Sequence, residues 1–502
     1  METLNALIYG FSVSLTPGNL FACFMGVLMG TLVGVLPGLG TVASIALLLP
    51  LTYKLNAISS IIMLAGIYYG AQYGGATTSI LVNIPGESTS VVTCIDGYQM
   101  ARQGRAGPAL GICAFGSFIA GTCSVIGIVL LAPLLGRLAV KFDAPDYAAL
   151  FILGLTMVTY LARGSRLKAI AIAVVGLLLA TIGLDPMAGS PRFSFGTLIL
   201  LNGLELAPIA MGLFGIAEVL ANLEKELTQR DIFKTTMKGL LPTWRDWRAS
   251  IKPIGRGTVL GFFLGVLPGV GAIVPTFISY ALEKRLSKTP EKFGTGMIEG
   301  VAAPEAANNA ASGGALIPLL SLGVPPNTTM ALLMGAFMIH GLSPGPLLLI
   351  ENPDVFWGIV TSMYTGNAML LILNLPLIPL WVKLLKIPYH VLFPLIFLFC
   401  IIGIYSVNND SMDIVVMGIF GLVGYLMRKF GYEPAPMVLA FILGGRLENA
   451  VRQSLVLSRG DLGIFFQKPM SAAFLAATAI LVLSPLFSKL IFAKIKGKYF
   501  DS

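Results

Sequence analysis

The sequence is poor in charged residues, which make up only 11% of its 502 residues. An average soluble domain is about 25% charged, so this composition excludes an ordinary soluble enzyme and a disordered chain. Histidine occurs only twice and the five cysteines are scattered, with neither a CxxC pair nor an HExxH motif, which leaves no basis for a redox or zinc site. A GxxxxGK[ST] loop is also missing, so energy for any work must come from a gradient or a partner.

Hydrophobic residues, by contrast, make up 56% of the chain. They form long continuous runs rather than the alternating pattern of an outer-membrane barrel. Because a membrane-spanning helix uses about 20 apolar residues, this length suits about 10–14 spanning or part-spanning helices. The sequence therefore predicts an all-α polytopic membrane protein embedded in a lipid bilayer.

The net charge of +9 is typical of cytoplasmic loops in such a protein and does not indicate nucleic-acid binding. Residues 221–256 form the most polar segment, with eight basic and four acidic residues, and we expect a cytoplasmic linker there. Trp244 and Trp247 favour an interfacial helix in this segment, and a solvated linker is an equally good interpretation. A cytoplasmic C-terminus is indicated by the lysines of the tail, Lys489, Lys494, Lys496 and Lys498.

A motif that begins at Gly26 recurs at Gly257, almost half the chain later. The two copies read GVLMGTLVGVLPGLG and GTVLGFFLGVLPGVG. A second block follows in each half, GGA then IPGEST in the first and GGA then VPPNTT in the second. Two blocks in the same order predict two structural repeats, residues 1–220 and 257–502, on either side of the linker.

The charge distribution predicts that the two repeats are inverted. The second repeat follows the basic linker and enters from inside, whereas Glu2 is the only charged side chain at the N-terminus, which fits an outside start. One observation points the other way, because basic residues after the second Pro-Gly break suggest a re-entrant hairpin that returns inside. These residues are Lys284, Arg285, Lys288 and Lys292.

Helix breakers at corresponding positions of two halves indicate a transporter site, at the Pro-Gly-broken or re-entrant helices of the centre. A break inside the membrane frees backbone groups, which is tolerated only where protein or a water-filled cavity satisfies them. Half-helix N-termini suit an anion, and unwound carbonyls suit a cation such as Na⁺. The alternative is that the breaks only kink helices for packing.

The predicted substrate-binding residues are Asn83, Pro85, Gly86, Glu87, Ser88, Thr89, Ser90, Pro325, Pro326, Asn327, Thr328 and Thr329. The predicted cation-binding residues are Gly38, Gly40, Thr77, Thr78, Gly269, Gly271, Asn308 and Asn309.

Charged side chains at membrane depth are costly, which makes Glu87 and Glu305 functional candidates. Asn308 and Asn309 either line a pathway or join helices through hydrogen bonds. His340 is a candidate proton-linked group, although an interfacial or core histidine is the simpler interpretation. Asp96 is interpreted as a loop charge.

Five segments carry a family resemblance: GVLPGLG at 34–40, YGAQYGGATTSI at 69–80, NIPGES at 83–88, DGYQMA at 96–101, and residues 314–329. The chain resembles, over essentially its whole length, the large membrane subunit of the tripartite tricarboxylate transporter family, the TctA type. The resemblance implies a carrier of the bacterial inner membrane that imports di- or tricarboxylates such as citrate with a cation gradient, usually Na⁺. It also implies a small membrane subunit and a periplasmic solute-binding protein as partners.

Three classes of function stay open at this point. A secondary carrier without a cofactor, with Na⁺ as the coupling ion, is the preferred interpretation. A passive organic-anion channel would share the breaks and the repeats. An intramembrane serine enzyme with a Ser312–His340 dyad is the weakest alternative, because no nucleophile motif is present. Rocking and elevator motion cannot be distinguished from the sequence.

Overall fold

A computed structural model describes residues 3–36, 40–161, 165–197, 199–224, 239–384 and 389–483. In these ranges the chain is helical apart from connecting segments and one short antiparallel hairpin, β1 (Gly183–Leu184) and β2 (Pro191–Arg192). The helices are α1 (Thr3–Ser14), α2 (Pro17–Val35), α3 (Thr41–Thr52), α4 (Ala57–Val82), α5 (Val91–Arg102), α6 (Ala106–Ala139), α7 (Ala144–Leu161), α8 (Arg166–Leu179), α9 (Leu206–Ala210), α10 (Ala217–Leu223), α11 (Trp244–Val266), α12 (Ile273–Leu286), α13 (Glu299–Gly314), α14 (Leu316–Leu322), α15 (Thr328–Ile339), α16 (Leu348–Glu351), α17 (Pro353–Asn374), α18 (Ile378–Leu384), α19 (Tyr389–Asn408), α20 (Ser411–Lys429), α21 (Ala435–Leu457), α22 (Ile464–Gln467) and α23 (Pro469–Leu483).

Five helical segments of the described chain are long and apolar enough to cross a membrane, by length and composition. They are α2, α6, α17, α20 and the continuous stretch Leu206–Leu223, in which the π-helical turn Met211–Ile216 joins α9 to α10. Among the shorter apolar helices, α3 and α15 have 12 residues each, or about 18 Å, against a hydrocarbon core of about 30 Å. The predicted multi-pass, all-α class is confirmed, and the count of 10–14 spanning or part-spanning helices stays a prediction.

Glycines allow α2 to pack closely against α4 in the first half of the chain. Gly26, Gly30 and Gly34 lie one turn apart on α2, and each faces a backbone carbonyl oxygen of α4. A Cβ at any of the three would overlap that oxygen. The facing carbonyls belong to Met63, Ile67 and Ala71.

The second half contains a helix pair with the same contacts. Gly257, Gly261 and Gly265 of α11 face carbonyl oxygens of α13, and a Cβ at any of them would overlap its partner. The facing carbonyls belong to Ala303, Ala307 and Ala311. One glycine ladder thus occurs in each predicted repeat, while the inversion of the repeats stays a prediction.

Helix α11 begins inside the predicted linker and continues past residue 256 without interruption. Its first turn is capped by the Thr243 hydroxyl, which accepts from the backbone N–H of Asp246 at 3.3 Å. Asp246 is buried and pairs with Arg105 at 2.5 Å. The Trp247 ring packs against Phe115 at 5.4 Å between centroids. This segment therefore starts a long packed helix rather than a separate interfacial one.

The chain forms two compact units. The first comprises Met1–Val140 and Glu205–Phe430, and contains both helix pairs. The second comprises Lys141–Leu204 and Gly431–Ser502. The boundaries of these units differ from the predicted repeat boundaries at residues 220 and 256. The division into two repeats and a linker stays a prediction.

In the second unit, α21 packs against α7 and α8. The β1–β2 hairpin is held by Asp185, whose carboxylate accepts from the backbone N–H of Ala188 at 3.0 Å and of Met187 at 2.8 Å. Arg452 on α21 donates to the same carboxylate at 2.9 Å. The backbone donors, with Arg452, lower the pKa of Asp185 to about 2, so the carboxylate that anchors this hairpin is ionised at neutral pH.

Candidate functional site

The predicted break after α4, which we call the first break, and the one after α14, the second break, have the same backbone form. Helices α4 and α14 are each followed by a residue in the left-handed region, Asn83 at φ 57° and Gly323 at φ 70°. A proline follows two residues later in both, Pro85 and Pro325. A left-handed residue with proline beyond it is a common way to end a helix. Both breaks therefore terminate a helix and are more than kinks.

The side chain of Glu87, just after the first break, contacts the start of another helix. The Glu87 carboxylate accepts the backbone N–H of Thr41 at 3.2 Å and, by a short hydrogen bond, the Thr41 hydroxyl. Thr41 is the first residue of α3, and Gly40 is its N-cap. The positive end of α3, which suits an anion, is thus occupied by a carboxylate of the protein itself.

The neighbouring hydroxyls of the first break have structural partners. Ser90 donates to the Glu87 carbonyl at 2.8 Å, and Thr89 donates to Gln72 Oε1 at 2.7 Å. Ser88 is exposed. Gly86 lies against α2, where a Cβ would overlap the carbonyl oxygen of Gly34.

Asn327 takes the corresponding place in the second break and carries no charge. Its Oδ1 accepts the backbone N–H of Met330 at 2.9 Å and caps α15. The first backbone N–H groups of α15, at Thr328 and Thr329, have no acceptor within the helix. These N–H groups are free to donate at the N-terminus of α15, where the capping side chain carries no charge.

The second break also contacts the second Pro-Gly motif. The backbone N–H of Gly269 donates to the Pro326 carbonyl at 2.8 Å. Gly269 and Gly271 have φ values of 80° and 62°, where side chains with a Cβ are disfavoured. The motif is therefore a tight turn whose backbone meets the break before α15.

Helix α12 returns along α11 after this turn. Arg256 of α11 donates to both carboxylate oxygens of Glu283 on α12, at 2.6 and 2.5 Å. Both residues lie about three turns from the break between the helices. The two helices therefore form an antiparallel hairpin, and its re-entrant placement, which the basic residues after the Pro-Gly turn suggest, stays a prediction.

Helix packing brings the two breaks together in the interior of the first unit. Helix α15 packs against α3 and α4, and both α12 and α13 contact the turn Ser88–Ser90. On α4, the buried Tyr68 hydroxyl lies beside the side chains of Ser312 and Asn327. Residues that are far apart in sequence thus share one buried polar region, which we call the break region.

The remaining predicted cation-binding residues differ in their partners. Thr78 donates to the Val35 carbonyl at 2.7 Å, and Asn309 donates to Ser117 Oγ at 2.7 Å, so both join helices. The carboxamide of Asn308 is fully buried and has no partner among the described residues. Gly38 lies outside the described residues.

Thr77 lines a small cavity between α4, α6 and α17. Its volume is about 10 Å³, room for one water molecule. Polar side chains of Tyr73, Ser117 and Asn374 share the wall. Asn374 Oδ1 has no partner in the described part of the chain, which makes a water-sized polar occupant suitable there.

Asp96 is a structural residue that sequence reasoning missed, and its interpretation as a loop charge is wrong. It lies on α5, fully buried. Its carboxylate accepts from the Tyr280 hydroxyl at 2.9 Å and from three backbone N–H groups at 2.7 to 2.9 Å. These belong to Gly294, Gly296 and Met297. Asp96 thus fixes the segment that leads into α13, and the DGYQMA motif was its only signal.

Paired discontinuous helices that end in one buried polar region are typical of polytopic membrane transporters. The family model described as "Tripartite tricarboxylate transporter TctA family" matches residues 20–439. The chain therefore belongs to the TctA family, and the resemblance seen in its motifs is confirmed.

Two relatives from Agrobacterium vitis are similar to this chain. One, described as an uncharacterized 52.8 kDa protein in the TAR-I ttuC′ 3′ region, is 50% identical over 488 residues, which cover 97% of each chain. The other, described as an uncharacterized protein in the TAR-II ttuC′ 3′ region, is 49% identical over 226 residues, 45% of this chain and 93% of the relative. No solved structure matches.

Family membership makes the chain a subunit of a tripartite transporter, with partner subunits, rather than an enzyme. The suggested serine dyad gains nothing from the geometry, because the Ser312 hydroxyl donates to the Asn308 carbonyl of its own helix at 3.0 Å.

Proposed function

We propose that this chain is the permease subunit of a secondary carrier that imports a di- or tricarboxylate with Na⁺. It works in the bacterial inner membrane with a small membrane subunit, and receives its substrate from a periplasmic binding protein. The observation that carries the proposal is the neutral N-terminus of α15 within the break region. Asn327 caps this end without adding charge.

A substrate carboxylate fits best at the second break. The N–H groups of Thr328 and Thr329 and the dipole of α15 favour negative charge, whereas Glu87 already neutralises the end of α3. The second break therefore binds the substrate, and the first break supports it structurally.

A coupling cation supplies the positive charge that this site lacks. Among the described residues, no lysine or arginine belongs to the buried side chains. A polyanion that leaves water without a positive partner loses far more solvation than a few amide hydrogen bonds return. Co-binding of Na⁺ in the same interior offsets that loss and couples the two fluxes.

The test is uptake of a radiolabelled tricarboxylate into proteoliposomes that contain the complete transporter and its binding protein. With an inward Na⁺ gradient, the substrate concentration inside the vesicles should rise above the external concentration. This accumulation should be lost when K⁺ replaces Na⁺. Equilibration without accumulation would show a channel. If uptake were lost only when the pH gradient is collapsed, the coupling ion would be a proton and not Na⁺.

Asn327→Asp tests the binding site separately from the helix cap. Aspartate caps a helix as well as asparagine does, but it places a negative charge where the substrate carboxylate binds. We expect normal abundance and at least a 10-fold loss of substrate affinity. Asn56→Asp is the matched control, because Asn56 is an exposed cap that accepts from Ser59 N–H at 2.8 Å. Unchanged affinity in Asn327→Asp would place the site elsewhere.

A further inference from the structure

We propose that Glu305 and Asn308 of α13, with Thr93 of α5, form a binding site for one monovalent cation. The site lies in the middle of α13, away from the Pro-Gly turns that contain half of the predicted cation ligands. The proposal rests on the proposed function, for which this cation is the coupling ion.

Three buried polar atoms on one face of α13 lack partners. Glu305 and Asn308 are three residues apart and therefore neighbours on the helix surface, and they are only 1% and 0% exposed. The Thr93 hydroxyl donates to Glu305 Oε1 by a short hydrogen bond. Glu305 Oε2 and both carboxamide atoms of Asn308 have no hydrogen-bond partner in the described ranges. Buried polar groups are satisfied in most proteins, so this cluster indicates a missing ligand.

The missing ligand must be positive. In the part of the chain that the structure describes, Thr93 is the partner of the Glu305 side chain, and no ion pair includes that carboxylate. An isolated buried carboxylate is strongly disfavoured and must gain a cation or a proton. A proton on Glu305 Oε2 would form one hydrogen bond, to the Asn308 carbonyl oxygen or to another acceptor. A cation instead binds Glu305 Oε2, the Asn308 carbonyl oxygen and the Thr93 hydroxyl together, and measured Na⁺ binding distinguishes the two.

The ligand chemistry favours a monovalent ion. The site offers one carboxylate, one amide oxygen and one hydroxyl, all hard oxygen donors. Ca²⁺ takes 6–8 oxygen ligands, several of them usually carboxylates, and Mg²⁺ keeps several of its waters. One carboxylate balances one positive charge, which suits Na⁺ in a site closed off from solvent.

A continuous polar face connects this site with the second break. Ser312 lies one turn beyond Asn308 and donates to its backbone carbonyl. The Tyr68 hydroxyl lies beside both Ser312 and Asn327. A cation at Glu305 therefore adds positive charge at one end of a buried polar row whose other end is the cap of α15. This row of buried polar side chains links the cation site to an anion at that cap.

The experiment measures Na⁺ binding to the purified transporter complex without substrate. The probes are ²²Na⁺ binding and the shift of the thermal unfolding midpoint when NaCl replaces choline chloride. We expect Glu305→Gln to lower the Na⁺ affinity at least 10-fold and Asn308→Ala to lower it measurably, while Glu305→Asp retains part of it. Glu299→Gln is the matched control, because it removes the same charge from the first turn of α13.

The outcomes separate this proposal from the proposed function. Wild-type Na⁺ affinity in a folded Glu305→Gln variant would overturn the site but leave Na⁺ coupling intact. A change only in the pH dependence of uptake would mean that Glu305 carries a proton, which also overturns it. Absence of Na⁺ binding to the wild type, with uptake unchanged in K⁺, would overturn both. A Glu305→Gln protein that elutes as aggregate is replaced by Asn308→Ala, and wild-type Na⁺ affinity there equally overturns the site.

Discussion

The first and second breaks have the same backbone conformation but differ in the side chain that follows each break and in what it contacts. In the first break, the Glu87 side chain crosses to the end of α3 and neutralises it. In the second, Asn327 caps its own helix, and the crossing contact is made by the backbone of Gly269 and Pro326. A charged side chain thus closes one helix end, and a neutral amide leaves the other suited to an anion. Similar backbones therefore support different chemistry.

The two glycine ladders, unlike the two breaks, are closely similar in the two halves. Gly30 faces the carbonyl of Ile67, and Gly261 faces that of Ala307, each with no room for a side chain. The helix pairs thus give both halves the same rigid support. The difference between the halves is concentrated in the side chains of the breaks.

The largest effect is expected from filling either ladder. Leucine at Gly30 or Gly261 would overlap backbone, which no rotamer change can relieve, and overpacking costs about 1–3 kcal/mol even where side chains can adjust. We expect both variants to lose folded protein, measured as the monodisperse fraction after detergent extraction. Gly18→Leu and Gly255→Leu are matched controls on the same helices, because nothing lies within 4 Å of a Cβ there. Tolerance of one substitution alone would break the equivalence of the pairs.

A smaller effect is expected from removing the charge of the first break. Glutamine at position 87 weakens the bonds to Thr41, and a hydrogen bond to a charged group contributes about 1.5–3 kcal/mol. We expect Glu87→Gln to lower the free energy of unfolding by up to about 1.5–3 kcal/mol and to slow transport, with substrate affinity less affected than rate. Glu291→Gln, at an exposed position, should transport normally. If Glu87→Gln changed only the substrate affinity, Glu87 would be a substrate ligand after all.

Composition and the Pro-Gly motifs were sufficient to predict the membrane class and the positions of the breaks. The partners of the charged residues were not predictable, because they lie far away in sequence. Glu87 binds a residue 46 positions earlier, and Asp96 binds Gly294 across 198 positions. The alignment of the two breaks was predictable, because IPGEST and VPPNTT already place Glu87 opposite Asn327. Counted from the left-handed residue, Asn83 corresponds to Gly323, and Asn327 to Glu87.

The smallest effect is expected at the left-handed residues that end α4 and α14. A Cβ in this region costs about 1–2 kcal/mol per residue, and asparagine tolerates it better than most residues. We therefore expect Gly323→Ala to destabilise the protein by about 1–2 kcal/mol, and Asn83→Ala by less than about 1 kcal/mol. Asn83→Gly should leave stability unchanged or slightly increased.

The same three variants test whether Asn83 binds substrate, as its sequence context predicts. The Asn83 side chain is exposed and its backbone geometry alone accounts for an asparagine there. We therefore expect these variants to shift the unfolding midpoint slightly and to leave the substrate affinity of uptake unchanged. A loss of substrate affinity in both Asn83→Gly and Asn83→Ala, at normal stability, would return Asn83 to the binding site. It would also show that the first break binds substrate as the second does, because a structural cap has no reason to respond to the substrate.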